Sequence, residues 1–243
     1  MSATPSATPS ASLSATRFAT AQQLSGQVYG ALLNHRPQLT ALGDAVTQLP
    51  YKAAPQAPVL SVMPRHMLAA DGAPLDVPAG VPGLEVGVAL GIVIGRVACR
   101  VPLAQAMDFV AGYVVLGEVT LPLASHYRPA LRLRARDGFC PVGTHVVPAS
   151  EVPEADALLM HIDVDGQTVQ ATNTGDRVRG VAQLLADVSE FMTLQPGDVL
   201  SLGRSHGAPL VLVGQQVLLR IEGLGQLQHT VTADLAVVAG QGA

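Results

Sequence analysis

Residues 84–95 read LEVGVALGIVIG, and this run limits the possible folds more than any other stretch. It is apolar apart from Glu85 and closes on Gly95, and like the chain's other apolar runs it falls short of the ~18 residues that cross a bilayer. A glycine-bearing apolar run of this kind reads as a buried strand, over residues 85–94. Strand side chains alternate, so Glu85, Gly87 and Ala89 share one face, and that face is nearly bare.

The rest of the chain points the same way. LLMHIDVDGQTVQATNT sets two alternating runs around Asp165 and Gly166, the preferred pair for a tight hairpin turn. A second hairpin is expected around Gly223 and Gly225, and short strands over Val28–Leu33 and from Tyr113. Helical spacing occurs three times: Leu39, Leu42, Val46 and Leu49, ended by Pro50; Leu103 to Val110; and Val181, Leu184, Leu185, Val188 and Met192. Many short strands with few helices predict a mainly β domain with short helices (α+β), closed or rolled up to hide its edges. Hydrophobic residues make up 49% of the chain but aromatics only 3%, so Leu, Val and Ala must build the core.

Residues 1–23 repeat Ser, Ala, Thr and Pro and read as a disordered tail. Residues 24–60 are expected to form a small N-terminal segment of strand, helix and linker, and 61–240 the main domain. The formal charge of −4 without a basic block argues against nucleic acid, and no span argues for a membrane. The tail lacks the basic start and apolar centre of a secretory signal, which suits a cytoplasmic protein. Cys99 and Cys140 are too few for a disulfide scaffold and are expected to be buried free thiols. The chain carries no nucleophile elbow, phosphate loop, dinucleotide fingerprint or zinc-spaced His and Cys cluster.

A set of segments is more specific. LGIVIG followed by AMDFVAGYVV, then RARDGFCPVGTHVV, VDGQTVQATNT, VAQLLADVSEFMTLQPGDVLSLG and VLLRIEGLGQLQHTV, in this order over about residues 80–235, resembles the fumarylacetoacetate hydrolase family. The resemblance implies a β-roll or distorted barrel with short helices, Mg²⁺ or Mn²⁺ in catalytic members, and chemistry on β-dicarbonyl or enol-dicarboxylate substrates. ALLNHRPQL, LPYKAAP and SHYRPALRLRARDGFCP narrow it to the N-terminal half of the two-half isomerase/decarboxylases of 4-hydroxyphenylacetate (homoprotocatechuate) degradation. These act as 2-hydroxyhepta-2,4-diene-1,7-dioate isomerase and 5-oxopent-3-ene-1,2,5-tricarboxylate decarboxylase.

The same resemblance implies that the site has changed. Active members carry Glu-x-Glu before the LGIVIG run, because two carboxylates two residues apart on a strand reach one hard cation. Those positions fall on Gly87 and Ala89, and the third ligand position on Glu118. No metal is therefore expected in this chain unless Glu85 rebuilds a site with Glu118. The family's proton-transfer His falls on Gln38, within Asn34, His35, Arg36, Pro37 and Gln38, and an amide is no general base. The family Lys before RDG becomes Arg134, and the family Gly-Thr-Pro turn becomes Gly203, Arg204 and Ser205.

Arg134 or Arg204 is expected to pair with Glu118 where the metal stood. Asn34, Gln38, Tyr127, Arg128, Arg134 and Arg204 are the candidate pocket residues for a dicarboxylate or tricarboxylate, with His35, Glu118 and His206 as candidate catalytic groups. Three functions follow: a metal-free subunit that packs against a C-terminal-type catalytic subunit or a second copy of itself, a stand-alone metal enzyme with rearranged ligands, and a dicarboxylate-binding module.

Overall fold

The computed structural model describes residues 26–123 and 130–234. The tail reading, Tyr127 and Arg128 lie outside the described residues. In chain order the elements are β1 (Val28–Leu32), α1 (Arg36–Leu42), β2 (Val59–Met63), β3 (Leu68–Ala69), β4 (Leu75–Val77), β5 (Leu84–Ile94), β6 (Val110–Thr120), α2 (Leu131–Arg134), β7 (Cys140–Pro141) and β8 (Val147–Pro148). There follow β9 (Leu159–Val164), β10 (Gln167–Asn173), α3 (Val181–Phe191), β11 (Val199–Ser201), β12 (Leu210–Val211), β13 (Gln216–Ile221) and β14 (Gly225–Ala233).

One sheet runs β2-β1-β11-β5-β6-β8, with β12 pairing the start of β5. The other runs β10-β9-β13-β14-β4, and β3 pairs β7 separately. The molecule is mainly β with short helices, as expected, but its sheets end in open edges rather than closing into a barrel. β1 sits between β2 and β11, inside the larger sheet, although its residues belong to the expected N-terminal segment.

β5 explains why the LEVGVALGIVIG run is apolar. Ten of its eleven residues are buried, because β9 and β13 pack on it while β11 and β6 flank it. Each large aliphatic side chain so enclosed contributes about 1.5–3 kcal/mol. The hairpin of β9 and β10 turns through Asp165 (φ +50°) and Gly166 (φ +80°), the left-handed pair of a type I′ turn.

α3 buries Val181, Leu184, Leu185 and Val188 of the stripe its spacing predicts, while Met192 caps the helix and is only partly buried. It starts at Gly180, and the Asp156 carboxylate accepts its first N–H, from Val181, at 2.9 Å. A Cβ at Gly180 would stand 2.6 Å from that carboxylate.

Three local expectations shift. α1 stops at Leu42, because Gly43 turns left-handed (φ +48°), and a 3₁₀ turn follows; Leu49 is left 79% exposed. Leu103–Phe109 forms 3₁₀ turns and passes directly into β6 at Val110, earlier than Tyr113. Cys140 is buried, but Cys99 is exposed, so only one thiol matches the expected burial. No helix among the described residues is long and apolar enough to cross a membrane.

Candidate functional site

At Gly87 the bare face of β5 is covered by one side chain. A Cβ built on Gly87 would lie 2.6 Å from Arg204 Cβ and 2.8 Å from its Cδ, so the arginine stem occupies the space a larger residue would need. The guanidinium continues along the strand and places Nη2 2.7 Å from Glu85 Oε2. The pair is mostly shielded, with side chains 13% and 24% exposed for arginine and glutamate. Glu85 therefore neither rebuilds a cation site nor stands free in solvent. It is the counter-charge of Arg204.

Glu118 lies on β6 opposite Gly87 and is 3% exposed. Its Oε1 accepts a hydrogen bond from Ser201 Oγ at 2.5 Å, and its Oε2 has no hydrogen-bond partner. Ser201 Oγ in turn accepts from Gly203 N–H at 3.0 Å. Among the described residues no basic group comes within 4.0 Å of Glu118, so the expected pairing with Arg134 or Arg204 is not made. The turn that carries Arg204 places it over Gly87, with Glu85 the nearer carboxylate. Arg134, at the end of α2, lines a cavity of about 200 Å³ together with Glu118. The cavity is otherwise largely apolar, with Leu60, Met63, Leu131 and Phe139 in its wall. Burial, and then the neighbouring Arg204, disfavour the Arg134 charge, while Glu118 and Glu85 favour it.

The segment after β1 is tied into the same region. Asn34 is buried and uses both ends of its amide: Nδ2 donates to the carbonyls of Arg179 and Leu202, each at 3.0 Å, and Oδ1 accepts from Arg179 N–H at 2.9 Å. With its amide spent on backbone, Asn34 acts as a clamp between segments. His35 is 3% exposed, and its Nδ1 accepts the His206 backbone N–H at 3.0 Å. That bond assigns the ring proton to Nε2. Burial, then the Arg177 charge, pushes the ring down to about 4, so His35 is neutral near pH 7. Its one lone pair is engaged, so it can donate a hydrogen bond but cannot take up a proton without losing His206. The His206 side chain is exposed; its backbone is what joins the site. Gln38 is half-buried in the first turn of α1.

Among the described residues Arg177 is the largest fully buried side chain, at 2% exposure. Its Nη2 donates to Gly203 O at 3.0 Å and Ser205 Oγ at 3.2 Å, while Nε and Nη1 have no partner. Burial pulls it down to about 10, with Glu118 and Asp176 opposing, so it stays cationic at neutral pH. The turn 203–205 thus links three charged residues: Arg204 over β5, Arg177 beneath Gly203 and, through Ser201, Glu118.

Residues 27–232 match the family model for the fumarylacetoacetate hydrolase C-terminal domain. The chain belongs to the fumarylacetoacetate hydrolase family. It is 35% identical over 214 residues to the 4-hydroxyphenylacetate degradation bifunctional isomerase/decarboxylase of Escherichia coli, covering 88% of this chain and 49% of that protein. The Salmonella dublin enzyme of the same name is 37% identical over 211 residues, covering 87% and 48%. The chain thus spans about half the length of these curated relatives. Among solved structures, 5-carboxymethyl-2-hydroxymuconate delta-isomerase from Mycobacterium smegmatis superposes with TM-score 0.72 at 26% identity, over 87% of this chain and 80% of that one. Fumarylpyruvate hydrolase from Pseudomonas aeruginosa, solved with Mn²⁺ and pyruvate, gives 0.70 at 25%, over 86% and 90%.

The residues present do not fit the family's divalent cation. Gly87 and Ala89 offer no oxygen ligand from a side chain, Arg204 fills the space above Gly87, and Glu85 is engaged by that arginine. Among the described residues no three His, Cys, Asp or Glu side chains come together as a metal-holding group. Of the expected site residues, Asn34, His35, Glu118, Arg134 and Arg204 belong to one connected region. Arg177, Ser201 and Ser205 join them without having been singled out from sequence. Ser201 could have been found from the buried VLSLG strand, whereas Arg177 sits in a turn beside Arg179 and looks like a solvated pair.

Proposed function

We propose that this chain is an N-terminal-type member of the isomerase/decarboxylase branch, a half that holds no metal and supports a catalytic half. The branch assignment rests on the identity to the bifunctional relatives and on the match to about half their length. The loss of metal chemistry rests on one observation: the Arg204 stem lies against Gly87 and its guanidinium takes Glu85. A glutamate at position 87 and this arginine cannot share that space. The catalytic role then falls to the matching C-terminal-type half, as a separate subunit in a heterodimer.

The test is turnover of 2-hydroxyhepta-2,4-diene-1,7-dioate by the purified chain alone and after mixing with that half, with metal content measured on both. Turnover only in the mixture, with Mg²⁺ or Mn²⁺ in the partner, supports the reading. A stoichiometric divalent ion and turnover in this chain alone would overturn it in favour of a stand-alone enzyme. A second reading, a dicarboxylate-binding module, draws on Arg134 and Glu118 sharing the cavity.

A further inference from the structure

The buried polar atoms of the site are unevenly matched. His35 Nε2, Arg177 Nε and Arg177 Nη1 have no hydrogen-bond partner, and each belongs to a residue no more than 3% exposed. All are donors: one N–H on the neutral imidazole, one on Nε and two on Nη1. The unpartnered acceptors in the same region are Glu118 Oε2 and Gln170 Oε1, the latter on an amide whose nitrogen donates to His206 O at 2.9 Å. These groups are held together by bonds already made. His35 and Arg177 bridge through their backbones, Arg177 donates to Gly203 O, Gly203 N–H donates to Ser201 Oγ, and that hydroxyl donates to Glu118. Ser205 Oγ, bonded to Thr172 Oγ1 at 3.0 Å, fixes the other side of the guanidinium.

Buried donors without acceptors are costly, and native interiors rarely leave several together. Four buried N–H bonds without acceptors, against two unpartnered acceptors, call for a ligand rich in acceptors that also carries a donor. We propose that His35 and Arg177 form a metal-free seat for the carboxylate of a small hydroxy acid, whose hydroxyl donates to Glu118 Oε2. The carboxylate accepts from the imidazole N–H and from Arg177, whose Nη2 is already spent on Gly203 and Ser205. A phosphate dianion suits the seat less, because it concentrates two negative charges beside Glu118 where a carboxylate group brings one. The site binds through this chain's own residues and needs neither a cation nor turnover.

The experiment is calorimetric titration of the full chain, metal-free and without any partner, with malate, succinate and inorganic phosphate. Malate carries the hydroxyl that succinate lacks. Malate is expected to bind at least about tenfold tighter than succinate, the change that one buried hydrogen bond produces. Arg177→Met and His35→Asn are each expected to weaken malate at least about tenfold. Methionine fills the arginine's space, and asparagine keeps an acceptor for His206 N–H while removing the Nε2 donor, so melting temperatures report on folding separately. If R177M does not fold, H35N decides. No heat from malate at about 10 mM overturns the proposal and leaves the orphan donors to buried water. So does phosphate binding as tightly as malate, or malate binding unweakened in the folded variants. Malate binding without turnover in any mixture keeps the seat and removes the proposed function; turnover in the mixture without malate binding does the reverse.

Discussion

Arg204 lies across Gly87 and ends on Glu85, with Nη2 and Oε2 2.7 Å apart. The two residues enclose Gly87, one of two positions in β5 without a side chain. The face of the strand is bare in sequence because it is filled from another loop.

Gly87→Glu is expected to destabilise the chain by about 3 kcal/mol or more, since the new side chain meets the arginine stem and strands a buried charge. Adding Arg204→Ser should return a large part of that loss. Urea denaturation of both variants checks this; additive losses would mean that Arg204 does not occupy the space above Gly87.

A double-mutant cycle on Glu85→Gln and Arg204→Met is expected to give a coupling of about 1 kcal/mol, at the top of the range for exposed pairs because both side chains are mostly shielded. Raising the salt concentration should reduce this coupling little. Chemical denaturation of the four proteins at two ionic strengths measures it.

His35 makes stability depend on pH in a defined direction. Its folded value of about 4 lies below the ordinary 6.5, so the unfolded chain takes up the proton first. The stability it contributes is complete above pH 6.5 and is lost as the pH falls from there to about 4, at most about 3 kcal/mol. Buried His229 is lowered in the same direction and adds to the slope. Urea midpoints at pH 7.5 and 5 should fall for the wild type and fall less for His35→Asn.

Asn34→Ala removes three hydrogen bonds to buried backbone, to Arg179 O, Leu202 O and from Arg179 N–H. The expected loss is about 2–3 kcal/mol, because the orphaned groups stay buried. Amide exchange at Arg179 should speed up before that of β5, which separates loss of the clamp from global unfolding.

Gly166→Ala in the β9–β10 turn is expected to cost about 1 kcal/mol, from the left-handed backbone alone. Nothing lies within 4 Å of a Cβ there, so no steric term is added. A thermal melt measures it, and an unchanged melting temperature would argue against the type I′ turn.

Much of this protein follows from local pattern. The Asp165–Gly166 hairpin, the apolar stripe of α3 and the buried LEVGVALGIVIG strand each express short-range rules of turn chemistry and periodicity, which act wherever such residues occur. Set against the family's Glu-x-Glu, the small residues at 87 and 89 also imply that two oxygen ligands are missing. Tertiary structure decided what came instead. Arg204 is 117 residues from Gly87 in the chain, and only the turn after β11 determines that it reaches Glu85 rather than Glu118. Arg177 reads as a surface charge, yet β1, β11 and their following turns close around it. Which charges meet in a core depends on how distant segments stack, and neither periodicity nor propensity along one segment carries that information.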